Sequence, residues 1–294
     1  MPLFPPLVDA ETLTAQLGNP ALRIFDATVH LRRAVEGGPY TVDTGWPAYQ
    51  QAHLPGAAFA DIPGKLSDTR SPYPFALPPA GAFAAAAGSL GIGPGTHVVA
   101  YAQASPMWAT RFWWLLRFFG FDDVSVLNGG LPAWLAAGLA TEPGDVRYPL
   151  ARFAARPRPE LLATLDDVRA VVGGDGRTCH GRTCLLNALS ESAFRGEGPG
   201  AYSRPGRIPG SSSLPAAGLV DPVTNRFRPL PQLEAAVDAA GVRGGEPVIA
   251  YCGGGISATV DLFALLLTGR ADARLYDGSL TEWSADPSLP LVTG

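Results

Sequence analysis

Cysteine, histidine, lysine and methionine are all scarce in this 294-residue chain, which holds 3 Cys, 4 His and 2 Met, with Lys65 as its single lysine. A cysteine count that is both low and odd argues against a disulfide framework and leaves any cysteine chemistry few partners. Charge is sparse as well, at 16% of residues, and 26 acids outnumber 22 bases for a formal net charge of -4. No basic field therefore points to nucleic acid or to a membrane surface. Long apolar runs are missing too. The most apolar stretch, 112–121, carries Arg117 and is too short to span a bilayer. The start, Met1-Pro2-Leu3-Phe4-Pro5-Pro6, lacks a basic region followed by an unbroken apolar one, so no secretory signal reads from it. These absences lead us to expect a soluble, cytoplasmic protein.

What is abundant is apolar surface and chain-turning residues: 47% hydrophobic, 35 Gly and 29 Pro. That composition suits a folded, loop-rich globular protein rather than a disordered one, and the length is a soft prior for two domains. The chain also repeats itself. In the first half the order is Leu22-Arg23-Ile24-Phe25-Asp26, then His53-Leu54-Pro55-Gly56, Val98-Val99-Ala100-Tyr101-Ala102, a helix-like run from Ala109 to Phe119, and Asn128-Gly129-Gly130 ahead of Trp134. The second half answers with Cys184-Leu185-Leu186-Asn187, Arg207-Ile208-Pro209-Gly210, Val248-Ile249-Ala250-Tyr251-Cys252, a run from Ala258 to Leu267, and Tyr276-Asp277-Gly278-Ser279 ahead of Trp283. Short β-branched runs alternating with helical ones predict α/β architecture, a parallel sheet flanked by helices, twice over. We place the first domain at 1–142, a proline- and charge-rich linker at 143–159, and the second domain at 160–294.

One segment carries chemistry. Val248 to Tyr251 reads as a buried strand that runs through Cys252 and Gly253-Gly254-Gly255-Ile256-Ser257 into a helix. Glycines let successive backbone N–H groups converge on one point, and the helix adds its positive end, so the loop should hold an anion. Such surroundings favour a thiolate, which makes Cys252 a nucleophile candidate. The bland alternative, an ordinary small residue at a strand end, is outweighed by the loop around it. The matching position in the first half is Ala102, followed by Gln103-Ala104-Ser105-Pro106, which has neither a nucleophile nor the glycines.

In these features the chain resembles the tandem-domain rhodanese-like sulfurtransferases along essentially its whole length. The resemblance rests on the paired Pro-Gly segments, Ser71-Pro72-Tyr73, Arg111-Phe112-Trp113-Trp114, Asn128-Gly129-Gly130, the cysteine loop, and Asp277-Gly278-Ser279 with Glu282-Trp283. It implies an inactive first domain, a second domain whose Cys252 forms a persulfide, and a substrate cleft between them. The uncharged loop is similar to the 3-mercaptopyruvate type rather than to the thiosulfate type, whose loop carries cationic side chains suited to a dianion. Cysteine phosphatases and arsenate reductases of the same fold need an arginine six residues after the cysteine to clamp an oxyanion. Here that residue is Ala258.

The chain departs from the resemblance at several points. The helper serine and aspartate of the mercaptopyruvate type fall on Gly254 and Pro63, a substrate arginine on Ala193, the Asp-Ala-Arg strand end on Asn187 and Leu189, and the histidine of the second Pro-Gly segment on Arg207. A carboxylate donor still needs a cation, and Arg195 and Arg204 are the candidate substrate-binding residues. The expected partners are a small sulfur donor, 3-mercaptopyruvate or thiosulfate, and a thiol acceptor, small or protein-borne, or cyanide in an assay. No cofactor or metal is expected. The cluster Cys179, His180 and Cys184 offers only three local ligands where structural zinc takes four, so these cysteines read as bystanders. With no histidine beyond His180, a Cys/His pair is not expected. The alternative to an enzyme is a rhodanese-like module that only binds or carries sulfur.

Overall fold

The structure is a computed structural model of the chain and describes residues 2–32, 40–173, 179, 183–197 and 202–294. The chain divides into two compact units, one of Met1–His30, Val42–Arg158 and Pro222–Phe227, the other of Leu31–Thr41, Pro159–Asp221 and Arg228–Gly294. Residues 143–158, expected as linker, are bonded into the first unit. Ala151 N–H donates to Gly88 C=O, Arg156 N–H to Phe119 C=O, and Tyr148 Oη to Gly56 C=O.

The first unit is built on a parallel sheet of β1 (Leu7–Val8), β2 (Leu22–Asp26), β5 (Ala57–Phe59), β6 (His97–Tyr101) and β7 (Val124–Leu127), ordered β1-β7-β6-β2-β5. All five residues of β6 are buried, as expected for the central strand of a sheet covered on both faces. The covering helices are α1 (Ala10–Thr14), α2 (Trp46–Gln51), α3 (Ala80–Ser89), α4 (Met107–Phe118) and α5 (Gly130–Ala136), with α4 packed on β6 and β7. Two further strands, β3 (Val29–Arg32) and β4 (Thr41–Thr44), form a two-stranded sheet of their own.

The second unit repeats this plan. Its strands β8 (Leu162–Ala163), β9 (Cys184–Asn187), β10 (Ser212–Ser213), β11 (Val248–Tyr251) and β12 (Arg274–Tyr276) are ordered β8-β12-β11-β9-β10, all parallel. Its helices are α6 (Leu165–Val172), α7 (Glu191–Phe194), α8 (Leu230–Ala239), α9 (Ala258–Leu267) and α10 (Ser279–Trp283).

The repeat extends to single hydrogen bonds. Leu54 N–H donates to Tyr101 Oη at 3.3 Å and Ile208 N–H to Tyr251 Oη at 3.1 Å. Trp134 and Trp283 each donate their indole N–H at 2.8 Å, to Ala140 C=O and Pro290 C=O. Burial pushes the Tyr251 hydroxyl up to about 12, so it stays a neutral brace between the central strand and the Pro-Gly turn.

The cysteine reading needs one correction. Cys179 and Cys184, expected to be free bystanders, are joined in a disulfide, with Cα atoms 4.3 Å apart. The reason is local: Cys179 adopts a left-handed φ of 64° and its N–H donates to Thr183 C=O, next to Cys184. Joined, the two sulfurs are not thiolate ligands. His180 lies outside the described residues. No helix among the described residues is long and apolar enough to cross a membrane.

Candidate active site

Cys252 directly follows β11, the central strand of the second sheet, and is 2% exposed; it is also the chain's free cysteine. The loop after it is held from one side by α10. Leu280 N–H donates to Cys252 C=O at 3.1 Å, and Thr281 donates its N–H at 2.9 Å and its hydroxyl at 2.6 Å to Gly253 C=O. In a trans peptide the C=O and the following N–H point in opposite directions. With both carbonyls drawn to α10, the amides of Gly253 and Gly254 are therefore turned away from it. The N–H groups of Gly253, Gly254, Ile256 and Ser257 have no hydrogen-bond partner among the described residues. They are donors that the described fold leaves unused in the loop after the sulfur.

The fifth expected donor is used inside the fold. Ser279 Oγ accepts from Cys252 N–H at 3.1 Å and Gly255 N–H at 3.2 Å, and donates to Tyr276 C=O at 2.8 Å. Ser279 takes a left-handed φ of 50° to do so. Gly255 is required where it stands. Its φ is +72°, and a Cβ there would sit 2.6 Å from Asp277 Oδ1 and 2.8 Å from the Asp277 carbonyl. At Gly253 an added Cβ would meet the Tyr202 hydroxyl at 1.9 Å, so the phenol lies directly on the loop.

Two further features shape the electrostatics. Asp261, on α9, is fully buried, and neither carboxylate oxygen has a partner among the described residues. Burial first, and the charge of Cys252 second, hold its carboxyl well above the usual carboxylate range. The candidate arginines are both engaged. Arg195 grips Glu197 with Nε at 2.8 Å and Nη2 at 3.0 Å on the surface. Arg204 spends its guanidinium on the carbonyls of Ser284 at 3.0 Å, Trp283 at 3.4 Å and Asp286 at 2.7 Å, at the end of α10 and just past it. Sequence reasoning missed Tyr202, Ser279 and Asp261. Ser279 lay in a quoted motif; Asp261 stood out only as the single charge in an apolar helix.

The corresponding loop of the first unit is closed by its own side chains. Leu131 N–H donates to Ala102 C=O at 3.1 Å, as Leu280 does to Cys252. The next amide, Gln103 N–H, is taken by Thr28 Oγ1 at 2.8 Å, and Gln103 Nε2 donates to Asp26 Oδ2 at 2.9 Å. In the second unit the residue matching Thr28 is Leu189, which has no acceptor in its side chain; its own N–H donates to Asn187 Oδ1 at 2.9 Å, as Thr28 N–H does to Asp26 Oδ1.

Comparison with known proteins agrees with this architecture. The Rhodanese-like domain family matches residues 9–137 and 194–286. The 3-mercaptopyruvate sulfurtransferase of Escherichia coli K12 is 33% identical, covering 97% of this chain and 96% of that protein. A probable 3-mercaptopyruvate sulfurtransferase of Pseudomonas aeruginosa is 36% identical, covering 98% of each. The human 3-mercaptopyruvate sulfurtransferase is 33% identical over 93% of this chain and 89% of its own. Among solved structures, SseA from Escherichia coli, a 3-mercaptopyruvate sulfotransferase, superposes with a TM-score of 0.79 at 31% identity, covering 94% of this chain and 99% of that one.

Proposed function

Because the chain belongs to the rhodanese-like family and is one of its two-domain sulfurtransferases, we propose that it moves sulfur from 3-mercaptopyruvate to a thiol acceptor through a persulfide on Cys252. The observation that carries this reading is the arrangement after β11: a cysteine followed by two glycine amides turned away from α10, with no partner among the described residues. The Cys252 thiolate attacks the donor sulfur, a new S–S bond forms, and the donor's C–S bond breaks. The electron pair goes to carbon, which takes up the proton released from sulfur, so pyruvate departs and Cys–S–S⁻ remains. The amides of Gly253, Gly254, Ile256 and Ser257 are suited to hold that charge without side-chain help. An acceptor thiolate then takes the outer sulfur and returns Cys252 to its starting state.

The loop carries no cationic side chain, which suits a thiol donor better than dianionic thiosulfate. We assign the donor carboxylate to Arg195, whose exposed pair with Glu197 is of the weakly held kind and can be exchanged. Arg204 contributes by holding the chain beyond α10 in place.

The test is direct. Incubation with 3-mercaptopyruvate should add about 32 Da to the Cys252 peptide, one sulfur on the nucleophile, and Cys252→Ser should abolish both adduct and turnover. Turnover retained in Cys252→Ser would overturn the persulfide on Cys252, and no adduct from either 3-mercaptopyruvate or thiosulfate would leave only a binding module.

A further inference from the structure

Helix α9 begins where the cysteine loop ends, and apart from Thr259 its ten residues are apolar with one exception, Asp261. The fold gains nothing from a carboxyl there. It is buried with both oxygens unpartnered among the described residues, an arrangement that costs stability where Leu or Val would pack. Side chains on a helix lean toward its N-terminus, and Asp261 sits in the first turn, so it leans back toward the loop.

Helix α9 packs against β11, β12, α8 and the turn Ala216–Leu219. These elements bring Tyr251, Arg274, Tyr276, Glu234 and Asp238, and the turn brings no titratable group. Arg274 is paired with Asp167. The charge that acts on Asp261 is that of Cys252. Two neighbouring acids in one apolar site cannot both ionise cheaply, so the negative charge belongs to one at a time. Among the described residues, unpartnered amides lie in the loop that follows the sulfur, whereas neither oxygen of Asp261 has a partner there.

We propose that Asp261 is a positioning residue for Cys252: an uncharged carboxyl behind the cysteine loop, whose O–H dipole steadies the thiolate and the persulfide and whose ionisation closes the active range on the alkaline side. It keeps its proton through both half-reactions and touches no substrate. This inference deepens the sulfurtransferase reading and rests on it for its meaning, though its first test needs no sulfur donor.

That test is alkylation of Cys252 by iodoacetamide, followed by mass spectrometry, in full-length wild type, Asp261→Asn and Asp261→Leu. The Leu variant should react about tenfold more slowly at neutral pH, the scale of one lost hydrogen-donating dipole beside a charge. Asn keeps a donor and should recover most of that loss. With 3-mercaptopyruvate, kcat/KM of the wild type should fall at alkaline pH, and Asp261→Asn should lack that fall. Equal alkylation rates in wild type and Leu variant, or superimposable alkaline limbs in wild type and Asn variant, overturn the proposal. Should Asp261→Leu fail to fold by circular dichroism, the Asn comparison decides. Should the wild type turn over no donor, the sulfurtransferase reading fails and the alkylation series alone judges Asp261.

Discussion

The two halves of this protein carry the same frame and opposite endings to their central strand. Tyr101 and Tyr251 brace the same turn, Trp134 and Trp283 make the same bond, and the sheets share one strand order. Two residues past the tyrosine they diverge. In the first unit the Gln103 amide is capped by Thr28, and the Gln103 side chain is tied to Asp26. In the second, Leu189 caps nothing and the Gly253 amide has no partner among the described residues. The first helical residue also differs between α5 and α10. Gly130 lies so close to Ala102 that a Cβ would meet its carbonyl at 2.2 Å, whereas Ser279 supplies the hydroxyl that gathers the amides of Cys252 and Gly255. The first unit thus lacks more than a cysteine: the Gln103 amide of its loop is already taken within the fold.

That contrast can be broken experimentally. The largest effect is expected from placing the nucleophile in the wrong half. Cys252→Ser should lose at least about 10³-fold in turnover, and Ala102→Cys added to it should restore none, because the neighbouring amide is taken. A 32-Da adduct on residue 102 after treatment with donor would refute the capped-loop explanation. Next, Gly255→Ala forces a side chain into left-handed backbone against Asp277 and should cost about 100-fold in persulfide formation through misplaced donors. Leu189→Thr would copy Thr28 into the second half. A hydroxyl that captures the Gly253 amide should slow persulfide formation about tenfold or more with unchanged melting temperature, and a rate equal to wild type would show that this amide does not bear on the chemistry.

The smallest expected effect concerns stability and runs the other way. The folded-state carboxyl of Asp261 is raised by burial, so the native chain keeps a proton that the unfolded chain releases above about pH 4. Stability from this site is therefore highest in acid and declines as pH rises toward the folded value. Asp261→Leu should gain about 1–3 kcal/mol at pH 8 and much less at pH 4, as thermal melts at the two values would show. A gain independent of pH would mean that the carboxyl is ionised in both states or in neither.

The duplicated sheet was legible in the sequence because its evidence is periodic: buried parallel strands read as short apolar runs, and Tyr101/Tyr251 and Trp134/Trp283 recur at nearly one spacing. The cysteine loop was legible because three glycines between a strand and a helix have few other uses. What escaped was long-range or conformational. Ser279 reaches Cys252 across 27 residues. Arg204 binds carbonyls, and carbonyls belong to every residue alike, so no pattern announces them. The Cys179–Cys184 bond depends on one left-handed residue, which composition does not reveal.

The clamp of α10 on the carbonyls of Cys252 and Gly253 changes where heredity can act on this site. The site's unpartnered donors are main-chain groups, which no point mutation other than one to proline deletes, so most drift in the side chains around the sulfur leaves them in place. Their vulnerability lies instead in residues that never approach a substrate: the hydroxyl at 279, the bare α-carbon at 255, and the threonine at 281. On the reading proposed above, the working surface is written in the turns behind the sulfur more than in the side chains around it.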